Sequence, residues 1–297
     1  MSDHTPTATE LFFTTSTRDP AQLDAMERGF FKAVRLSNGT WKTTNRRRLD
    51  DLNALVLEHL PSTRPLRAMD VAVSSGVSAL EWLESMEEAG IDCRFTAGDA
   101  AVNAYLISTR SGLRALVDRN GHVLQYEVRG KAVLPSRKRH VAMNIGAVIL
   151  LKIYARMIAP TLRAAGEATE GSHGNLTWKK TQLVSRTLIG RMNIAEDDII
   201  TNTRYDQCFD VLRAANILNR AYFSVANLRR ALTNLRNRLR PGGLLIICRT
   251  NTWRDGVDNE NHGTLFRVLE DGRFEIVDRL GSGSELESLA LEIPPRA

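Results

Sequence analysis

The order of apolar and polar residues along this chain changes character twice. After a polar start, MSDHTPTATE, apolar residues recur at helical spacing from Asp24 to Leu60, broken by a turn signal at Asn38 and Gly39. This pattern predicts two helices ending before Pro61, an N-terminal helical cap over residues 1–64. From Leu66 short apolar runs alternate with amphipathic stretches, as in a parallel sheet covered on both faces. Residues 66–71 form the first predicted strand, SALEWLESMEEAG the helix behind it, closed by Gly90, and CRFTAGD the second strand.

Between about residues 112 and 181 the alternation lapses. LRALVDRNGHVLQYEV holds two alternating runs about Asn120 and Gly121, a hairpin signal. The basic cluster SRKRH follows, then an apolar segment over 141–160, then AAGEATEGSHGN, which reads as a mobile loop. These residues are expected to form an insertion, a hairpin plus a helix. The alternation resumes with TQLVSRTLIG, MNIAEDDI and CFDVLRAANILN. The helix SVANLRRALTNLRNRLR, stopped at Pro241, Gly242 and Gly243, leads into the strand LLIICRT. Two strand-like runs about Asp271 and Gly272 predict a closing antiparallel hairpin at the sheet edge, and Trp82, Phe95 and Phe209 read as core.

Composition narrows the picture only a little. An apolar fraction of 43% suits a globular chain, and a formal charge of +6 favours phosphate-bearing ligands, anionic lipid or an acidic protein face. The basic residues look scattered among acids, so nucleic acid is not indicated. Cys93, Cys208 and Cys248 lie far apart in no metal or redox spacing and read as buried thiols in a reducing compartment. With no basic-then-apolar leader in the first residues, the expected location is cytoplasmic. The six histidines lack metal-ligand spacing, and no Ser, His and Asp order suits covalent catalysis.

The chemistry concentrates in RAMDVAVSSGVSALEW, residues 67–82. A loop leaving a strand must let a ligand approach its backbone, so its side chains must be small. Counting from Asp70, small residues fall at Ala72, Ser74 and Gly76, whereas a dinucleotide loop wants its third small residue where Val77 stands. An acid at Asp70 would repel a pyrophosphate and attract the ammonium and sulfonium of S-adenosylmethionine. A phosphate loop of the NTPase kind is excluded here, because no Gly-Lys-Ser/Thr follows.

MDVAVSSG, the acid Asp99 after RFTAG, AEDDI, FDVLRAANILN and LRPGGLLII, in this order, resemble the successive motifs of class I S-adenosylmethionine-dependent methyltransferases over about residues 65–297, the insertion apart. The resemblance implies an α/β, Rossmann-like, seven-stranded, mostly parallel sheet with an antiparallel last strand. It assigns Asp70 and the backbone of Ala72, Ser74 and Gly76 to the methionine end of S-adenosyl-L-methionine, and Asp99 to the ribose hydroxyls. Asp198 with Ile199, Asp197 being the adjacent rival, falls to the adenine, and the strand end from Arg213 through Ala214 to Asn216 to the methyl donor and acceptor.

Methyl transfer from a sulfonium is an in-line displacement that chiefly needs positioning, and the sequence declares no general base. Asn216, Asn219 and Tyr222 are candidates for orienting an acceptor, either a small molecule or, from a looser likeness of FDVLRAANILNRAYF to chemotaxis-receptor glutamate methyltransferases, an acidic protein. Two rivals stand beside the methyltransferase: a non-catalytic S-adenosylmethionine-binding scaffold or sensor, and a nucleotide-dependent oxidoreductase. Residues 137–163 combine basic and apolar positions in the manner of an interfacial membrane helix. A buried helix or a homodimer interface is the alternative, and Lys152 and Arg156 argue against a membrane span.

Overall fold

In the computed structural model the described residues are 5–14, 19–37, 39, 41–42, 46–60, 65–252 and 259–296. A short helical segment over Thr9–Phe13 precedes α1 (Pro20–Ala33), which is followed by α2 (Asp50–His59), β1 (Leu66–Val71), α3 (Val77–Glu88) and β2 (Cys93–Asp99). The chain continues through β3 (Asn103–Thr109), β4 (Arg114–Val117), β5 (Val123–Val128), β6 (Lys131–Val133), α4 (Lys138–Met143), α5 (Ile145–Ala164), β7 (Glu170–His173) and β8 (Leu176–Gln182). The remainder comprises β9 (Asn193–Glu196), β10 (Phe209–Ala215), α6 (Val225–Arg238), β11 (Leu239–Thr252), β12 (Asn259–Val268), β13 (Phe274–Leu280) and α7 (Glu287–Leu291). Asn38 of the expected turn and Pro61 of the expected helix stop lie outside the described residues.

The chain divides into two compact units: residues 1–43 with 101–185, and residues 44–100 with 186–297. This corrects the expected boundaries. No separate cap spans 1–64, and the insertion begins with β3, ahead of residue 112. The alternation of NAYLIST in β3 is an antiparallel-sheet pattern lying directly behind a parallel strand, and it belongs to the inserted unit.

In the second unit seven strands run in the order β13-β12-β11-β10-β1-β2-β9. The five from β9 to β11 are mutually parallel; β12 is antiparallel to β11, and β13 antiparallel to β12. The reversed strand is therefore the penultimate one, and the last returns to the parallel sense. The α/β, Rossmann-like architecture and the closing hairpin about Asp271 and Gly272 are as the pattern predicts. Central strands read as near-continuous apolar runs because helices cover them, and Leu212, Ala214 and Leu245 pack with Leu228, Leu232 and Leu235 of α6. Ser224 caps α6 by accepting from the Asn227 amide at 3.3 Å. The helix ends at Arg238, and β11 runs on through Pro241, Gly242 and Gly243. Trp82, Phe95 and Phe209 are buried, Trp82 and Phe95 edge to face at 5.3 Å.

In the first unit six antiparallel strands run in the order β6-β5-β4-β3-β8-β7. Strand alternation sends Tyr105, Ile107, Ala115 and Val117 to the face packed by α5, and Ala104, Leu106, Leu116 and Leu124 to the face packed by α1. This is why the N-terminal helix belongs with the insertion. The hairpin about Asn120 and Gly121 forms as expected, with Gly121 at φ +77°. A Cβ at Gly121 would collide with the Ala155 carbonyl, so α5 lies directly against the turn. The segment read as a mobile loop contains β7, paired antiparallel with β8.

Candidate functional site in the parallel-sheet unit

The strand-to-helix loop after β1 adopts the backbone its small residues permit. Ala72, Ser74 and Gly76 all have positive φ, +57°, +59° and +83°. Left-handed backbone at two non-glycine residues costs about 1–2 kcal/mol each, and it recurs at every second position of the acid-x-small-x-small-x-Gly pattern. The loop is held by its own hydrogen bonds: the Val73 amide donates to the Gly98 carbonyl at 3.1 Å, and the Gly76 amide to the Val73 carbonyl at 2.8 Å. The Ser74 amide donates to Asp99 Oδ2 at 2.8 Å. The structure thus brings together four of the predicted residues, Ala72, Ser74, Gly76 and Asp99, at the carboxyl ends of β1 and β2.

Asp70 has a different task from the one its charge suggested. Its buried carboxylate accepts from Arg213 Nε at 3.1 Å and Nη2 at 2.6 Å. Arg213 also donates to Asn53 Oδ1 and the Ser78 carbonyl and lies 4.5 Å over the Trp82 ring. A carboxylate gripped in this way exerts little net attraction on a cationic ligand, so the expectation that Asp70 draws in a sulfonium is corrected.

The adenine assignments also change. Ile199 is buried in the core cluster with Phe209, Leu212 and Leu228, and its side chain is spent there. Asp198 is a turn acid, accepting from the Ile200 amide at 2.9 Å and from Thr201 Oγ1 at 2.9 Å. Its rival Asp197 is buried against Arg238 through contacts of 2.6 and 3.1 Å, and takes a further 2.6 Å bond from Asn202. Ala214 is fully buried inside β10. Asn216, at φ +60°, clasps Thr250: its Nδ2 donates to Thr250 Oγ1 at 3.0 Å and its Oδ1 accepts from the Thr250 amide at 2.7 Å. Asn219 Oδ1 accepts from the amides of Ala221 and Tyr222, which makes it a turn residue, while Tyr222 is exposed.

Sequence reasoning placed Arg213 toward the methyl donor and acceptor, whereas it is fully buried against Asp70, and it missed Arg238 and Leu188 as shapers of this region. An arginine within the apolar run FDVLRAA needs a buried partner, and Asp70 at the end of the neighbouring strand was the available acid. Leu188, from the short helical turn over residues 186–188, packs on Gly76 so closely that a Cβ there would overlap its Cδ2. Burial, opposed in part by the nearby Arg213 charge, pushes the Cys248 thiol up to about 12, which removes it as a nucleophile near neutral pH. Burial likewise lowers Arg48 and raises Glu81 from their ordinary values.

No protein-family model and no curated protein matches the sequence. Among solved structures the chain is similar to the methyltransferase domain of the citrinin polyketide synthase, with 12% identity over 69% of this chain and 35% of that one, TM-score 0.33. It is similar to the N-methyltransferase NodS from Bradyrhizobium japonicum, solved with S-adenosyl-L-homocysteine, with 14% identity over 72% of this chain and 67% of that one, TM-score 0.31. An O-methyltransferase family protein from Burkholderia thailandensis gives 14% identity over 71% and 40%, TM-score 0.33. The chain spans 35% and 57% of the length of the first two solved structures it matches.

Proposed function

We propose that the parallel-sheet unit binds S-adenosylmethionine and that the protein is a methyltransferase acting on an acceptor of undetermined class. The observation that carries this reading is the run of left-handed residues at Ala72, Ser74 and Gly76, tied through the Ser74 amide to the carboxylate of Asp99. The donor set suits the methionine and ribose end of this ligand. Small residues let the loop backbone take this left-handed turn, and a carboxylate has two acceptor oxygens, enough to receive a loop amide and hydroxyl donors together. It does not suit the adenine contacts first assigned to Asp198 and Ile199. When bound, the cofactor supplies an activated methyl group. The residues of this chain then serve to hold the loop in its turn and fix the orientation of the Asp99 carboxylate, while the Asp70–Arg213 pair keeps β1 and β10 in register beneath them.

A second reading is a sensor or scaffold that binds the ligand without turnover. It is favoured by Leu188 seated on Gly76 and by the commitment of Asn216 to Thr250. Titration calorimetry with S-adenosylmethionine, then product profiling with an isotope-labelled methyl donor, separates the readings. Binding with labelled product supports the enzyme, and binding without product supports the sensor. No binding, or tight binding of NAD or NADP instead, overturns both.

A further inference from the structure

We propose that the outward face of α5 and the adjoining α4 in the antiparallel-sheet unit bind the surface of an anionic phospholipid bilayer. Among the described residues, α5 is the one helix long and apolar enough to cross a membrane. Its packing excludes that role. Leu151, Ala155, Ile158 and Leu162 are buried under the sheet, and Ala155 abuts the hairpin at Gly121. The other side of the helix is nevertheless apolar. Ile145, Ile149, Ile153 and Met157, spaced four apart, are 53%, 52%, 49% and 55% exposed, and Met143 of α4 is 76% exposed. At 3.6 residues per turn these positions form one stripe, and the exposed Lys152, Arg156 and Arg163 line its flank.

Charge selects the occupant. Residues 128–166 hold eight Lys or Arg and no Asp or Glu, whereas the rest of the chain holds 32 basic and 34 acidic residues. The net positive charge of the protein therefore resides in this segment, not scattered as composition suggested. A cavity of about 270 Å³ opens beside α4, lined by Lys131, Arg137, His140 and Asn144 together with the apolar Val133, Leu134 and Met143. An apolar stripe edged by cations is complementary to an anionic lipid surface, with the side chains entering the acyl boundary and the cations meeting headgroups. A second copy of the same face would instead set the cations of α4 and α5 against their own copies, and neither helix carries an acid to offset them. A nucleic acid would match the cations but leave the isoleucines facing phosphates.

This inference is independent of the methyl-transfer reading. The test is co-sedimentation of the full chain with phosphatidylcholine vesicles, with and without phosphatidylglycerol, at low and high salt, with sedimentation velocity alongside. Expected is binding to the anionic vesicles that weakens with salt, falls about tenfold or more in the Lys152→Glu, Arg156→Glu variant, and is lost in the Ile149→Ser, Ile153→Ser variant. All these positions are exposed, and unchanged circular dichroism confirms that the variants fold. Equal or absent binding to the two vesicle types overturns the proposal. So does binding that survives the serine changes and is competed by inorganic phosphate, or a dimer abolished by the serine changes without vesicle binding.

Discussion

Asp70 on β1 and Arg213 on β10 are register partners in adjacent parallel strands, so their side chains emerge at the same height and the guanidinium meets the carboxylate with two parallel hydrogen bonds. The planar fork of arginine matches both carboxylate oxygens, which lysine could not do. Burial makes the pair an all-or-nothing arrangement: either charge alone in this core would be strongly unfavourable.

Asp70→Asn is accordingly expected to destabilise the protein by about 3–5 kcal/mol, because Arg213 is left buried without its counter-charge. Urea unfolding followed by circular dichroism measures this. Adding Arg213→Met should recover much of the loss. A variant of undiminished stability that binds S-adenosylmethionine more weakly would instead return Asp70 to the role of cofactor anchor.

Asp99→Ala tests the site from its other side. Removing a carboxylate that accepts from the Ser74 amide and is proposed to accept from a ligand diol should weaken S-adenosylmethionine binding by about 1–3 kcal/mol. Calorimetry reads the change directly. An unaltered affinity would detach Asp99 from the ligand and leave it a loop-holding residue.

The loop and sheet were legible from local pattern alone, since acid-x-small-x-small-x-Gly after an apolar run dictates a tight strand-to-helix turn, and the structure places left-handed backbone at each small position. Ion-pair partners were not legible in this way. Arg213 lies 143 positions from Asp70, and only strand order brings them together. The same holds for α1, whose apolar face finds its partner in a sheet inserted after β2. Ile199 was misassigned because an apolar residue after an acid looks alike whether it faces a ligand or the core. Burial, which settles the matter, is a tertiary property.

Gly76 and Leu188 form a testable packing pair. Gly76→Ala meets two costs, a left-handed φ of +83° and overlap with the Leu188 methyl, and should destabilise by about 2–4 kcal/mol in sum. Leu188→Ala alone should cost about 2–5 kcal/mol from the cavity it leaves. The double variant should be less damaged than the two losses added, because the shortened side chain makes room for the new Cβ. A thermal-unfolding double-mutant cycle measures that coupling, and strict additivity would show that Leu188 does not rest on Gly76 in solution.

Of the three thiols expected to be buried, Cys248 is, while Cys93 and Cys208 are half-buried; Cys93 and Cys248 predict an alkaline limb of stability. Burial raises Cys93 from 9.0 to about 11 and Cys248 from 9.0 to about 12. The folded state thus holds these protons more tightly than the unfolded chain does. The stability they contribute is complete below about pH 9, the unfolded value, and is lost as pH rises toward 11 and 12, because only the unfolded chain gains by releasing the protons there. Urea midpoints measured from pH 7 upward should fall above about pH 9, and less steeply in a Cys93→Ala, Cys248→Ala variant than in the parent. A thiol-reactive disulfide reagent at pH 8 should modify both cysteines slowly in the native protein and rapidly after denaturation, since the thiolate is the reacting species. Fast native labelling of Cys248 would show that this buried position of β11 is open to solvent.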